Sequence, residues 1–204
     1  MSGSGKTTWA KRLAWAGFRA ISCDDRIEKK LAVDLAGGGH RGIAGVAAWM
    51  GWPDQPAYHE RAAKYLECEK QVMEELFAEI MGAREPIVVD TTGSVVHTGD
   101  TICQRLRDLT TVIYLETSAN ERDLLIARFL GSPKPVVWTK DFVRMTGESR
   151  REMVARCYTQ LIERRERLYQ KYAHYRIPIA ALRDLSSGPQ GFLQMIHAQA
   201  FPPR

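Results

Sequence analysis

The segment that most constrains this chain is its first, a glycine-rich stretch that leads directly into a helical pattern. Residues 3–7 read Gly-Ser-Gly-Lys-Thr, and Trp9 and Leu13 follow at helical spacing. This is the pattern of a phosphate-binding loop, in which backbone N–H groups and a helix N-terminus face phosphate oxygens. In such a loop the lysine, here Lys6, reaches the β- and γ-phosphates of ATP, and the next hydroxyl, here on Thr7, holds Mg²⁺. The residues expected to bind the nucleotide are Gly3, Ser4, Gly5, Lys6, Thr7 and Thr8.

The loop is shorter than the full pattern. In G-x-x-x-x-G-K-[ST] the first glycine would fall one residue before Met1, and the hydrophobic strand that ordinarily leads into the loop is not in the sequence. We therefore expect a sheet from which the first strand is missing. The alternative is a flexible glycine and serine tail, and the helix that follows the loop argues against it.

Composition narrows the class of protein. Of the 204 residues, 45% are hydrophobic and 26% are charged, which are the proportions of a globular chain. No apolar run approaches the ~20 residues of a membrane span, and the N-terminus is polar. The four cysteines are scattered without a C-x-x-C pair, which argues against a disulfide framework or a zinc site and favours the cytoplasm. The net charge of +5 suits a small anionic ligand and a nucleic acid equally well.

Short apolar runs alternate with helical patterns along the chain. The predicted strands lie near residues 18–23, 86–90, 111–116 and 175–182. Strands that alternate with helices at this spacing predict a parallel sheet covered by helices on both faces. We therefore expect a three-layer α/β/α fold with a parallel sheet, formed by a single domain over residues 1–204.

Two of the predicted strands end on carboxylates. Asp90 ends the run Val88-Val89-Asp90, where it can hold Mg²⁺ through water; the alternative is an Asp that caps the next turn. Asp24 and Asp25 follow the strand at 18–23, at the edge where ligands of open α/β sheets bind. A carboxylate there can accept a hydroxyl proton, and it can equally cap the helix predicted over 27–35.

The order of these motifs resembles the shikimate kinase family, within the nucleoside-monophosphate-kinase-like P-loop fold. The resemblance runs over nearly the whole chain. Residues 24–28 (DDRIE) resemble the family's D-x-D-x-x-I-E segment, residues 134–136 (KPV) its Arg-Pro-Leu lid motif, and residues 165–169 (RERLY) its R-x-P-L-Y segment. In that family the phosphoryl group of ATP passes to a hydroxyl of a small carboxylated alicyclic substrate while a lid closes over the phosphates.

The resemblance also implies roles for single residues. It places Asp24 at the acceptor hydroxyl, Arg165 at the substrate carboxylate and Arg128 at the nucleotide. Lys134 corresponds to a lid cation that reaches the transferring phosphates, although an exposed loop lysine would look the same. By the same resemblance the lid covers residues 131–147.

The acceptor half matches the family less well than the nucleotide half. Residues 24–85 would form the substrate-binding region, and Gly93 lies in a Thr-Gly-Ser stretch where the family has three glycines around its substrate. The arginine of the family's F-R-x-x-E motif falls by register on Leu66, with Arg61 as the nearest alternative. A stretch around residues 52–61 looks inserted.

These patterns predict an enzyme that uses ATP and Mg²⁺ to phosphorylate a hydroxyl of a small, anionic metabolite. A polynucleotide 5′-hydroxyl kinase is the second hypothesis, because residues 6–10 and 21–25 also resemble that group. No aromatic stacking platform or basic groove supports nucleic-acid binding. A third hypothesis is a homologue that binds a ligand without turnover, which the short phosphate loop favours.

Overall fold

The computed structural model describes residues 3–138, 142–183 and 188–200. The helices are α1 (Lys6–Trp15), α2 (Cys23–Lys30), α3 (Ala32–Ala36), α4 (Gly42–Met50), α5 (Tyr58–Gly82), α6 (Asp100–Leu109), α7 (Ala119–Gly131), α8 (Arg150–Tyr172), α9 (Ile179–Arg183) and α10 (Gly188–Ala200). The strands are β1 (Arg19–Ser22), β2 (Ile87–Asp90), β3 (Ile113–Glu116) and β4 (Tyr175–Pro178), and a short 3-10 helix spans Val95–His97.

Serine side chains start the helices that carry or flank the site. Ser22 Oγ accepts a hydrogen bond from the Asp25 amide, so α2 begins at Cys23, four residues before the expected helix. Ser118 and Ser149 begin α7 and α8 with reciprocal serine–glutamate capping boxes. A serine cap satisfies N–H groups that the first turn of a helix otherwise leaves unpaired.

The strands described here pair in parallel, as the sequence predicts. β1 pairs with β2, with Ser22 opposite Asp90, and β3 pairs with β4, with Glu116 opposite Pro178. Helices separate the paired strands in sequence, which is the α/β arrangement. Instead of one continuous sheet, the described strands form two two-stranded sheets, and a groove of about 560 Å³ lies between β2 and β3.

One predicted strand is shorter than expected. The run over 175–182 is a strand only to Pro178, and Ile179 begins α9. Proline lacks the N–H that would continue a strand ladder and is well tolerated just before or at the start of a helix, so the strand ends there.

The core has two parts. The larger part packs the buried faces of α2, α4, α5 and α8 around residues such as Ile27, Leu76 and Leu161. The smaller part joins α1, β3, β4 and α10, where Trp9 stacks on Phe192 with ring centroids 4.8 Å apart. Helix α1, which carries the glycine loop, packs against α10 here and also contacts β1 and β2.

Among the described residues, no helix combines the length and apolar content that crossing a membrane requires.

Candidate functional site

The glycine loop adopts a conformation that only glycine takes easily. Gly3 and Gly5 have φ angles of 80° and 94°, and a Cβ on Gly3 would lie 2.9 Å from Leu125 Cδ2. Gly5 caps α1 without any side-chain hydrogen bond. The first-turn N–H groups of α1 are therefore not capped by a side chain, and an anion at this helix end would meet them together with the positive end of the helix dipole.

Thr7 and Asp90 join the loop to the first sheet. Thr7 Oγ1 donates a hydrogen bond to Asp90 Oδ2 over 2.5 Å, and Asp90 is the buried last residue of β2. The described residues contain no cluster of three or more His, Cys, Asp or Glu side chains suited to a metal. Mg²⁺ usually takes only one or two carboxylates and completes its shell with water and phosphate oxygens. The hydroxyl and carboxylate present here fit such an ion.

Asp24 lies in the first turn of α2 and is mostly buried. Because Ser22 caps this helix, Asp24 is free of the capping role that the sequence left open. Burial is the largest cause that raises the pKa of Asp24, and the nearby carboxylate of Asp90 raises it further. The ammonium groups of Lys6 and Lys134 act in the opposite direction. Lys6 and Lys134, the other two residues expected to be catalytic, therefore both lie within electrostatic reach of Asp24.

Arg165 is a buried arginine on α8, with only 6% of its surface exposed. Its Nε donates to His97 Nε2 over 3.0 Å, and its Nη2 donates to the carbonyl of Val137 over 3.1 Å. Its Nη1 faces Gly93, where a Cβ would lie 3.3 Å from that nitrogen. Tyr169 Oη donates to the Gly93 carbonyl over 2.6 Å and holds this turn in place. Arg165 and Gly93, two of the residues expected at the acceptor, thus lie side by side; their role at the acceptor stays a prediction.

His97 is neutral in this environment. Burial lowers the pKa of His97 to about 4, and the positive charge of Arg165 contributes to the shift. Because Nε2 accepts the hydrogen bond from Arg165, the ring proton lies on Nδ1.

Glu69 is a carboxylate enclosed by the core, with 1% of its surface exposed. Ser94 Oγ donates to it over 2.8 Å, and the Thr92 hydroxyl donates to its other oxygen. Burial raises the pKa of Glu69 to about 7, against the effect of these two hydroxyls and of Arg165. The charge of Asp24 also raises the pKa of Glu69, so Asp24 and Arg165 both lie within electrostatic reach of Glu69.

The segment expected to form a lid is packed against the site. Tyr58 Oη donates to the Val136 carbonyl over 3.0 Å and accepts from the Trp138 amide over 2.7 Å. Residues 136–138 are buried, in an aromatic cluster that includes Trp52, with its ring centroid 5.9 Å from that of Trp138. Residues 139–141 of the expected lid lie outside the described part of the chain. Trp52 and Tyr58, from the stretch that looks inserted, therefore contact the segment expected to form the lid.

Three further positions were considered for the site. Arg128 is exposed near the end of α7, and its side chain makes no hydrogen bond or ion pair with the described residues. Leu66 packs on the core, and Arg61 Nη1 donates to the Trp49 carbonyl over 2.5 Å, with its guanidinium over the Trp49 ring. Leu66 carries no charge and Arg61 is bonded to Trp49, so neither position places a second arginine beside Arg165.

Sequence reasoning did not assign His97 or Glu69 a role in the site. Glu69 had a signal, because it shares the buried stripe of α5 with Tyr65 and Val72, and a carboxylate on an apolar stripe needs partners. His97 had none, since its contact with Arg165 spans 68 residues of sequence.

The comparisons with known proteins support the fold. No protein-family profile matches the chain, and no curated protein matches its sequence. A solved structure of shikimate kinase from Acinetobacter baumannii, in complex with shikimate, superposes with a TM-score of 0.61 at 22% sequence identity. The alignment covers 96% of this chain and 88% of that enzyme. The chain therefore has a shikimate kinase-like α/β fold, as the order of its motifs predicted.

Proposed function

We propose that this protein is a kinase that transfers a phosphoryl group from ATP to a hydroxyl of a small, anionic metabolite. The observation that carries this proposal is the position of Asp24, which lies within electrostatic reach of both Lys6 of the glycine loop and Lys134 of the lid segment. A carboxylate near two cations, one of them in a phosphate loop, suits in-line phosphoryl transfer.

The nucleotide side of the proposed site is built from the glycine loop. When bound, ATP supplies the phosphoryl group, and Mg²⁺ neutralises its charge. The N-terminus of α1 and Lys6 would bind the phosphate oxygens, and Thr7 with Asp90 would hold Mg²⁺. Lys134 would add positive charge from the lid side, where charge develops during transfer.

The acceptor side is built around Asp24 and Arg165. The raised pKa of Asp24 makes it a stronger base than an exposed aspartate, which suits removal of a hydroxyl proton. Arg165 would bind an anionic group of the acceptor through the nitrogen that faces Gly93. Asp24 would then orient the hydroxyl while Arg165 fixes the other end of the molecule.

The surroundings of Arg165 favour a small acceptor. Residues 136–138 bury this end of the site, and Tyr58 fixes them in place. This enclosure supports a metabolite over a polynucleotide 5′ end, which needs an open groove. Because a buried arginine, Arg165, lies beside Gly93, we propose a hydroxylated acid as the substrate class, and we propose a cytoplasmic enzyme.

A panel of hydroxylated carboxylic acids tests the proposal. ADP formation is measured with ATP and Mg²⁺ for each acid, in the native chain, in Asp24→Asn and in the control Asp25→Asn. Asp25 is the exposed neighbour of Asp24 on the same helix turn. We expect one class of acid to stimulate ADP formation and Asp24→Asn alone to lower kcat by about a hundredfold or more. Equal rates in the two variants, or no stimulation by any acid, would contradict the proposal, the latter favouring a non-catalytic binding protein.

A further inference from the structure

Tyr58 is a buried tyrosine at the start of α5, in the stretch that looks inserted. Only 2% of its surface is exposed. Burial raises the pKa of Tyr58 to about 12, against the effects of the Trp138 amide and of the charge on Arg165. The hydroxyl therefore keeps its proton at neutral pH, and a protonated phenol can donate one hydrogen bond while it accepts another.

The hydroxyl of Tyr58 holds a short piece of main chain at two points. It donates to the Val136 carbonyl over 3.0 Å and accepts from the Trp138 amide over 2.7 Å. Val136 and Trp138 are both buried, so loss of the hydroxyl would leave these two backbone groups without this partner in a site away from water. One side chain thus fixes the main chain on both sides of residue 137.

A single planar peptide group links Tyr58 to Arg165. The Trp138 N–H and the Val137 carbonyl belong to the same peptide unit, and in a trans peptide they point in opposite directions. The N–H meets the Tyr58 hydroxyl, and the carbonyl accepts from Arg165 Nη2 over 3.1 Å. Tyr58 and Arg165 therefore lie at opposite edges of one rigid unit, and the hydroxyl determines where the carbonyl meets the guanidinium.

The stretch that carries Tyr58 is also joined to α8, the helix of Arg165. Asp54 forms an ion pair with Arg150, the first residue of α8. The Arg150 guanidinium lies over the Trp52 ring, 5.4 Å from its centroid. These contacts connect the two ends of the chain of hydrogen bonds to one helix, so Tyr58 and Arg165 are placed relative to each other.

We propose that Tyr58 is a positioning residue of the acceptor site, which sets the orientation of Arg165 through the peptide between Val137 and Trp138. This rests on the proposed function, in which Arg165 binds the anionic group of the acceptor. His97 fixes Nε and the peptide fixes Nη2, so the third nitrogen is held in one orientation before the acceptor arrives. A guanidinium that keeps only His97 as a fixed partner must be ordered on binding, which costs affinity.

NMR of the Arg165 guanidinium tests the positioning step without substrate or nucleotide. Exchange of its Nη2 protons with solvent is compared in the native chain, in Tyr58→Phe and in the control Tyr172→Phe. Both variants keep a buried ring, and the control removes a hydroxyl that donates to Asp100. We expect exchange to be about tenfold faster or more in Tyr58→Phe alone. Equal exchange in all three chains would overturn the proposal, whatever the protein phosphorylates.

Steady-state kinetics tests the link to the acceptor. We expect Tyr58→Phe to raise the KM for the best anionic acid of the panel about tenfold and to leave the KM for a matched uncharged acceptor nearly unchanged. In an Arg165→Ala background no guanidinium remains to be oriented, so Tyr58→Phe should have no further effect.

Two kinetic outcomes would overturn the proposal. One is an equal rise in KM for the charged and the uncharged acceptor, and the other is the same tenfold effect of Tyr58→Phe in the Arg165→Ala background. If the native chain phosphorylates no acid at all, the proposed function fails, and the exchange measurement still decides whether Tyr58 positions Arg165.

Discussion

The Nε of Arg165 and the Nε2 of His97 are 3.0 Å apart, in a hydrogen bond that only a neutral imidazole can accept. A second nitrogen of the same guanidinium donates to the carbonyl of Val137, in the segment expected to form a lid. These two bonds fix the plane of Arg165 and leave the third nitrogen facing Gly93. His97 is therefore a positioning residue for Arg165 in the proposed acceptor site.

Removing the imidazole should weaken acceptor binding rather than the chemical step. We expect His97→Ala to raise the KM for the acceptor about tenfold with little change in kcat, because Arg165 loses one of its two fixed partners. His97→Gln, which keeps an acceptor oxygen, should recover part of the loss. A fall in kcat at unchanged KM would contradict the positioning role.

A methyl group at position 93 should disturb the same arginine. In Gly93→Ala the new Cβ would lie 3.3 Å from Arg165 Nη1 and 3.7 Å from Tyr169 Oη, so the guanidinium must shift. We expect the KM for the acceptor to rise several-fold, about 1 kcal/mol of binding, while the melting temperature changes little. Gly131→Ala is the control, since a Cβ there meets no atom within 4 Å. If the two variants have the same KM, Arg165 does not bind the acceptor beside Gly93.

Loss of the Arg165 side chain should have the largest effect on acceptor affinity. We expect Arg165→Ala to raise the KM for an anionic acceptor about a hundredfold, because a buried charge-assisted contact is lost. Arg167→Ala, an exposed arginine on the same helix, serves as the control. If Arg165 binds the anionic group, Arg165→Ala and the native chain should have similar KM values for a matched uncharged acceptor, as measured by steady-state kinetics.

Glu69 and His97 should give opposite dependences of stability on pH. The folded-state pKa of Glu69, about 7, lies above its ordinary value of 4.5. The contribution of Glu69 to the free energy of unfolding is therefore complete at low pH, and it falls as pH rises towards 7. The folded-state pKa of His97, about 4, lies below its ordinary value of 6.5. The contribution of His97 to the free energy of unfolding is therefore complete at high pH, and it falls as pH drops towards 4. Between pH 4.5 and 6.5 the two effects oppose each other.

Single substitutions should separate the two effects. In Glu69→Gln the free energy of unfolding should increase with pH across this window relative to the native chain, and in His97→Gln it should decrease. Urea unfolding at several pH values measures both slopes. The exposed pair Glu67→Gln and His59→Gln provides the controls. Parallel curves for the native chain and both buried variants would show that neither group titrates as the structure implies.

The sequence predicted the layered fold because each element carries a local signal. The apolar run before Asp90 and the glycine loop before α1 follow from spacing and residue type, and both were placed correctly. The contacts of His97 and Tyr58 could not be predicted, because each depends on a partner at least 68 residues away in the sequence. For Arg128 the resemblance predicts a nucleotide contact, and its side chain is exposed near the end of α7. Its role at the nucleotide stays a prediction.

The most direct test of the proposed function is phosphoryl transfer by Lys6→Ala. Lys6 is the cation of the glycine loop that lies near Asp24, and Lys11 is an exposed lysine of the same helix. Transfer of radiolabelled phosphate from ATP to the best acceptor of the panel is measured for the native chain, Lys6→Ala and Lys11→Ala. We predict that Lys6→Ala lowers kcat by about a hundredfold or more without loss of fold, and that Lys11→Ala leaves it unchanged. Full transfer activity in Lys6→Ala would contradict the assignment of this loop to the transferred phosphate.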